Sequence, residues 1–379
     1  MQKVIPVPEP YPRYRQLDSL RGLAAFTVFI AHYISLKASL PMVQVVQPSP
    51  LGILFNGTAA LMLFFILSGF VLSLPFIGGE KPLKLTSFYV KRILRIYPAY
   101  VFAIIFAVLL KQFLFDKSGM TPYADWLKNF WNWDWDKETG GEILKTLLMI
   151  GPDFKINLLD PPIWSLVIEM KMSIILPFFI VIVSRNSVVL NIAFLFVIGW
   201  LTYEYNALAI SVFYLGVLMA KYKEVVLGRL TSWPMIMVIA AILVSIFLYN
   251  NNYEFLHLIR RLSFKSRYIL SDYISAIGSC IILMVILGRK RISSFFEHRI
   301  FTFFGDISYS FYLIHVPLLL TLGSLISNRF IFSPVYIFLS AFATAVLLSY
   351  LMCIFIERPF QKLASGLIGK YKVLNTLSL

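Results

Sequence analysis

Charge is scarce in this chain of 379 residues, and acidic charge is scarcest. Charged residues make up 14% against 59% apolar ones, and 34 lysines and arginines face 19 aspartates and glutamates. A soluble domain carries nearer about a quarter charged residues, so a surface wetted on all sides is excluded and a membrane protein is indicated. Cysteine is limited to Cys280 and Cys353, both in apolar runs, which excludes a disulfide framework and a thiolate metal site; no metal is expected. No segment alternates polar and apolar residues as a membrane barrel strand does. Helices, whose backbone groups satisfy one another, remain. The first residues, "MQKVIPVPEPYPRYRQ", lack a signal-peptide core and cleavage site. The net charge of +15 would suggest nucleic acid in a soluble protein. In a membrane protein the positive-inside bias explains it, and no nucleic-acid partner is expected.

What the chain has in quantity is apolar sequence long enough to cross a bilayer, which takes about 20 residues. There are ten candidate runs, at 19–36, 56–76, 96–114, 164–184, 188–203, 207–222, 234–250, 269–288, 306–326 and 335–356, the fifth to seventh short for a full span. The expected fold is therefore all-α: a polytopic membrane helical bundle of about ten transmembrane helices, with N- and C-termini cytoplasmic. That orientation puts Arg13, Arg15, Arg21, Lys91, Arg92, Arg95, Lys221, Arg229, Arg289 and Lys290 inside. The basic loop 251–268 dissents, falling outside. The chain divides into a cytoplasmic N-terminal tail (1–18), one membrane domain (19–360) with a long outer loop (115–163), and a cytoplasmic C-terminal tail (361–379). No repeats and no separate soluble domain are visible.

Ionisable groups inside a span are costly and need a partner or a task. In "LDSLRGLAAFTVFIAHYISL" (17–36), Arg21 and His32 lie eleven residues apart, nearly three turns, so they share a face about 16 Å apart along the axis. His32 then sits about halfway across the bilayer; alone it reads as a structural hydrogen bonder, and Asp18 or Ser19 as the helix cap. In "SFYVKRILRIYPAY" (87–100), Arg92 and Arg95 project from one face at the cytoplasmic start of a span. They suit lipid head groups or, by forked bonds, a phosphate.

Glu169 enters the apolar segment "PPIWSLVIEMKMSIILP" (161–177) from the outer side, about 7.5 Å below Trp164, towards the depth of His32. A carboxylate orienting an imidazole is what a general base needs; a structural ion pair is the rival reading. Ser308, Tyr312 and His315 form one polar stripe in "FGDISYSFYLIHVPLLL" (304–320), bringing a second imidazole to similar depth. In the outer loop, Trp131, Trp133 and Trp135 read as interfacial anchors or as a platform for sugar rings.

These segments, together with "FFILSGFVLSL" and the terminal "ERPFQKL", resemble the acyltransferase-3 family of integral membrane acyltransferases over nearly the whole chain. Position 171, aromatic in many members, is lysine here. The resemblance implies ten spans and transfer of an acyl group, usually acetyl, from cytoplasmic acyl-CoA to an acceptor on the far side. Acceptors in the family are usually sugar hydroxyls of lipopolysaccharide, capsule, exopolysaccharide or peptidoglycan, which places the protein in a bacterial cytoplasmic (inner) membrane. It implies His32 as the catalytic residue, with Glu169 and His315 in the same site, and Arg92 and Arg95, with Arg21, holding the CoA phosphates. The partners implied are acyl-CoA, with acetyl-CoA as the usual donor, an extracytoplasmic glycan or lipid-linked sugar, and the lipid bilayer. His32 would act as general base towards the sugar hydroxyl or carry the acyl group itself.

Two other classes stay open on the residues alone. A proton-coupled transporter would use intramembrane His and Glu as a relay, though no pair of Gly/Pro-broken helices recurs in two halves. A non-catalytic scaffold leaves the buried charges without purpose.

Overall fold

The computed structural model describes residues 14–36, 49–77, 82–116, 131, 137–149, 159–201, 208–250, 263–326 and 333–377. Among these residues every regular element is helical. The order is α1 (Arg15–Ser35), α2 (Gly57–Ser73), α3 (Leu85–Phe113), α4 (Lys137–Leu148), α5 (Ile163–Arg185), α6 (Val188–Leu201) and α7 (Leu208–Ser232). Then come α8 (Met235–Tyr249), α9 (Phe264–Gly288), α10 (Lys290–Phe296), α11 (Arg299–Ile326) and α12 (Ser333–Met352). A single π-turn at Cys353–Glu357 joins α12 to α13 (Arg358–Leu377).

Each apolar run of the sequence is occupied by a helix. Five helices are long and apolar enough to cross a bilayer: α3, α5, α9, α11 and the continuous Pro334–Gly369 rod built from α12 and α13. Helices α2, α6 and α8 are apolar but shorter. The outer surface carries large apolar side chains that water would penalise, Phe196 at 73% and Phe178 at 64% exposure among them. Such a surface fits lipid tails. Prolines 98, 177 and 317 lie inside α3, α5 and α11. Transmembrane helices tolerate this because neighbours satisfy the freed backbone groups.

The inner core is centred on α1 and α11, the most extensively packed pair, with α2 seated on α7 beside them. Absence of side chains makes both approaches possible. A Cβ on Gly22 would lie 2.6 Å from the Gly305 nitrogen, and one on Gly305 2.5 Å from the Asp18 carbonyl carbon. Gly69 and Gly216 play the same part between α2 and α7, each facing a carbonyl of the other helix. Small residues at a membrane helix crossing let backbones close up where no hydrophobic force drives them together. Above the Gly22 crossing, Phe29 meets Phe311, Phe338 and Phe342 at ring separations of 5.6 to 5.8 Å, filling the space between α1, α11 and α12.

The expected cap at Asp18 or Ser19 is corrected. Helix α1 starts earlier, at Arg15, with Tyr14 in the cap position and no side-chain cap bond. Asp18 pairs instead with Arg21 at 3.5 Å, and the Ser19 hydroxyl donates to the Phe296 carbonyl at 2.5 Å, tying α1 to α10. True side-chain caps occur on α2, where Asn56 accepts from Ala59 N, and on α9, where Ser263 accepts from Ser266 N.

Candidate active site

Two helices bring three arginines together. Arg21 on α1 and Arg92 and Arg95 on α3 line one narrow cavity of about 110 Å³ with Glu169 of α5 and Ser308 and Tyr309 of α11. The Arg92 and Arg95 side chains leave α3 three residues apart and therefore on one face. Arg92 is buried and engaged at two of its nitrogens: its Nη2 donates to Glu169 Oε1 at 2.8 Å and its Nε to Ser173 Oγ at 3.0 Å. Ser68 of α2 adds a hydroxyl to the same carboxylate oxygen at 3.4 Å. Three guanidiniums sharing a site repel one another, and the carboxylate among them offsets part of that cost. Tyr309 locks α11 to α3 through a 2.7 Å bond to the Ile96 carbonyl.

This placement corrects one expectation. Glu169 does not orient His32; it forms the ion pair of the rival reading, with Arg92 as partner. Three turns separate Arg21 from His32 along α1, so a carboxylate held at the arginine level has no reach to the imidazole. Lys171, two residues on, projects from the opposite side of α5 and is exposed.

The far wall of the cavity is formed by Ser165 and Tyr312, whose hydroxyls bond to each other at 2.8 Å. The Tyr312 ring lies 5.7 Å from that of His315, and His315 Nε2 lies 3.1 Å from His32 Nδ1. The two imidazoles expected at one depth are thus in direct contact, His315 wholly buried and His32 partly so. Their proton positions follow from their neighbours. His315 Nδ1 lies 2.7 Å from the Tyr312 carbonyl, and His32 Nδ1 lies 3.0 Å from the Val28 carbonyl. A carbonyl oxygen only accepts, so each Nδ1 carries a hydrogen. His315 Nε2 is then the acceptor facing His32, and His32 Nε2 keeps its lone pair, with no hydrogen-bond partner among the described residues. His32 is the ring left able to take a proton, and its neighbour accepts a bond from it before and after it does so.

The tryptophans separate. Trp131 is buried, donates its indole N–H to the Leu159 carbonyl at 2.7 Å and meets Phe115 edge-on at 5.2 Å. Its φ of 56° marks a tight turn. It is an internal packing residue and not an exposed platform; Trp133 and Trp135 lie outside the described residues.

Several residues escaped sequence reasoning. Ser68, Ser165 and Ser173 are single hydroxyls in apolar helices, a signal too common to select them. Glu357, in the "ERPF" segment, is buried and accepts a short hydrogen bond from Ser310. The π-turn carries it, and π-turns recur at functional sites. Asp160, ahead of α5, is wholly enclosed, and neither carboxylate oxygen has a hydrogen-bond partner among the described residues. Burial pushes its carboxyl well above the ordinary carboxylate range. Among the described residues no group of three or more His, Cys, Asp or Glu side chains is placed to hold a metal ion.

Comparison with known proteins supplies one match. The model of a family described as an acyltransferase domain matches residues 14–354, a span that includes both histidines, the three arginines and Glu169 but not Glu357. Searches of curated proteins and of solved structures gave no significant match. With the match running from the first turn of α1 to the π-turn after α12, the chain belongs to the acyltransferase-3 family.

Proposed function

We propose that this membrane acyltransferase transfers an acyl group, most simply acetyl, from cytoplasmic acyl-CoA to a hydroxyl of an extracytoplasmic glycan or lipid-linked sugar. In this reading the ten apolar helices all cross a bacterial inner membrane, with both termini in the cytoplasm. The observation that carries it is a single cavity with three arginines at one end and, at the other, the Tyr312 hydroxyl that leads to the histidine pair. Forked guanidiniums bind phosphate oxygens in pairs, which suits Arg21, Arg92 and Arg95 to the polyanionic end of CoA. Glu169 holds the Arg92 fork in register until a phosphate approaches.

The passage beyond is narrow, so it admits an extended pantetheine arm and excludes the nucleotide. The thioester then arrives beside the histidines. His32 Nε2 removes the proton of the acceptor hydroxyl as its oxygen attacks the thioester carbonyl. The C–O bond forms, the C–S bond breaks, and CoA leaves as a thiolate that takes up a proton. The imidazolium formed on His32 donates through Nδ1 to His315 Nε2 and to the Val28 carbonyl, so its charge is met by two acceptors. A general base of this kind contributes about 10²- to 10⁴-fold in rate.

The test uses membranes containing His32→Ala. Acetyl transfer from labelled acetyl-CoA to surface glycan should fall by about 10²-fold or more, with CoA binding retained. Undiminished labelling in the variant refutes the assignment. An Arg92→Ala/Arg95→Ala double variant should show the converse, weakened CoA binding.

A further inference from the structure

A second cavity, of about 690 Å³, lies away from the site, between α6, α7, α8 and α9. Ile192, Leu215, Met219, Ala240, Ala241 and Ile281 are typical of its walls. It is open sideways, through helices whose neighbouring side chains, Ile236 at 75% and Phe196 at 73%, are exposed to the bilayer. Lipid chains are as apolar as these walls, so the cavity by itself neither attracts nor selects an occupant.

One end supplies what the walls lack. There Leu230 and Trp233 close the cavity, where the α7–α8 turn meets the end of α9. A Cβ on Gly288 would sit 3.2 Å from Leu230, and Arg289 Nη2 donates to the Trp233 carbonyl at 2.5 Å. The Arg289 Nε beside it is enclosed and has no hydrogen-bond acceptor among the described residues. Around this end stand Arg229, Arg289, Lys290 and Arg291; the acidic residues nearest in sequence, Glu224 and Glu297, are engaged by Lys223 and Ser293. Four cations without a carboxylate among them, beside an indole and above an apolar cleft, complement a negatively charged head group attached to a hydrocarbon chain.

We propose that this cleft is a binding site for an anionic phospholipid of the surrounding membrane, one acyl chain lying along α7 and α8 and the phosphate held by Arg289 and its basic neighbours. Selectivity resides in the head group, because the chain moves between two apolar surroundings. The site is independent of the acyl-transfer reading: it shares no lining residue with the arginine cavity.

Trp233 reports on the cleft directly. The full chain is reconstituted into phosphatidylcholine vesicles containing a small fraction of either phosphatidylglycerol or phosphatidylcholine with brominated chains. Fluorescence quenching is compared with that of Trp233→Phe, so that the difference isolates Trp233. Brominated phosphatidylglycerol should quench this component at a severalfold lower mole fraction than brominated phosphatidylcholine. Each basic residue near an anionic head group is worth up to about fivefold, so Arg229→Gln/Lys290→Gln should remove most of that preference. Both residues are exposed, so this variant leaves the Arg289–Trp233 bond intact. Ala240→Phe should abolish quenching from within the cleft. Equal quenching by the two lipids, or a preference that survives the double substitution, overturns the proposal.

Discussion

His315 is enclosed and bonded at both nitrogens, and that fixes its protons. With Nδ1 committed to the Tyr312 carbonyl, its Nε2 offers only a lone pair to His32. His315→Leu removes that acceptor and should lower kcat by about tenfold or more, less than the loss expected for the base itself, with KM for acyl-CoA unchanged. His315→Gln, which keeps an acceptor and a donor, should recover part of it. Equal kcat in the leucine variant and the parent would reduce His315 to packing. Asp160 bears on stability instead. Its carboxyl keeps a proton in the folded chain that the unfolded chain releases above about pH 4, so the stability linked to it is present below that pH and declines as pH rises. Asp160→Asn cannot ionise, and should unfold at a higher temperature than the parent at pH 8, by a margin that shrinks towards pH 5. An unchanged difference across that range would show that Asp160 ionises freely. The sequence exposed His32, His315 and the arginines because each is a polar group inside an apolar run. It could not assign partners: for Glu169 it offered His32 or an ion pair with no partner named, and the packing of α3 against α5 supplied Arg92.

Helix positions were legible for the same reason, since hydropathy locates what lipid surrounds. Hydropathy does not see helix that continues into water or polar packing. Helix α7 therefore runs to Ser232 through the charged "KYKEVVLGRLTS" stretch, beyond the apolar run ending near 222. Helix α3 starts at Leu85, so Arg92 and Arg95 stand in its second and third turns instead of before its span. Which helices pair was hidden because it rests on glycines that carry no pattern. Gly305→Ala places a methyl against the Asp18 backbone and should destabilise the α1–α11 crossing by about 1–3 kcal/mol. Gly228→Ala, on α7 with nothing within 4 Å of the added carbon, is its control. Relief of the helical glycine penalty should make that variant neutral or up to about 1 kcal/mol more stable. Thermal unfolding of the two in one detergent decides the matter; equal midpoints would mean that the crossing opens without cost.

At the scale of the whole molecule the proposed reaction is vectorial, and its direction depends on which ends of the helices face the cytoplasm. Arg21, Arg92 and Arg95 lie at the end of the bundle where α10, α13 and the α7–α8 turn also emerge, joined to α1 and α3 by contacts of α10 and α13. At the other end, Asn56 at the start of α2 bonds the Tyr249 carbonyl, and Asn250 bonds the Ser49 carbonyl, gathering the turn before α2 and the end of α8. Lysine and arginine crowd the first end, and the proposed reading, following the positive-inside rule, puts it in the cytoplasm with acyl-CoA. Single cysteines test this once Cys280 and Cys353 are replaced by serine. Arg229→Cys and Lys290→Cys should react with a membrane-impermeant maleimide only after intact cells are opened. Leu51→Cys, at an exposed position in the short helical turn before α2, should react in intact cells. The reverse pattern would put the arginine cavity on the side without acyl-CoA and defeat the proposed donor, whatever the His32 variant does. Labelling of all three from outside would instead require an even number of crossings between Leu51 and Arg229, so that one of the helices from α2 to α7 does not cross, and the ten-span arrangement would fall.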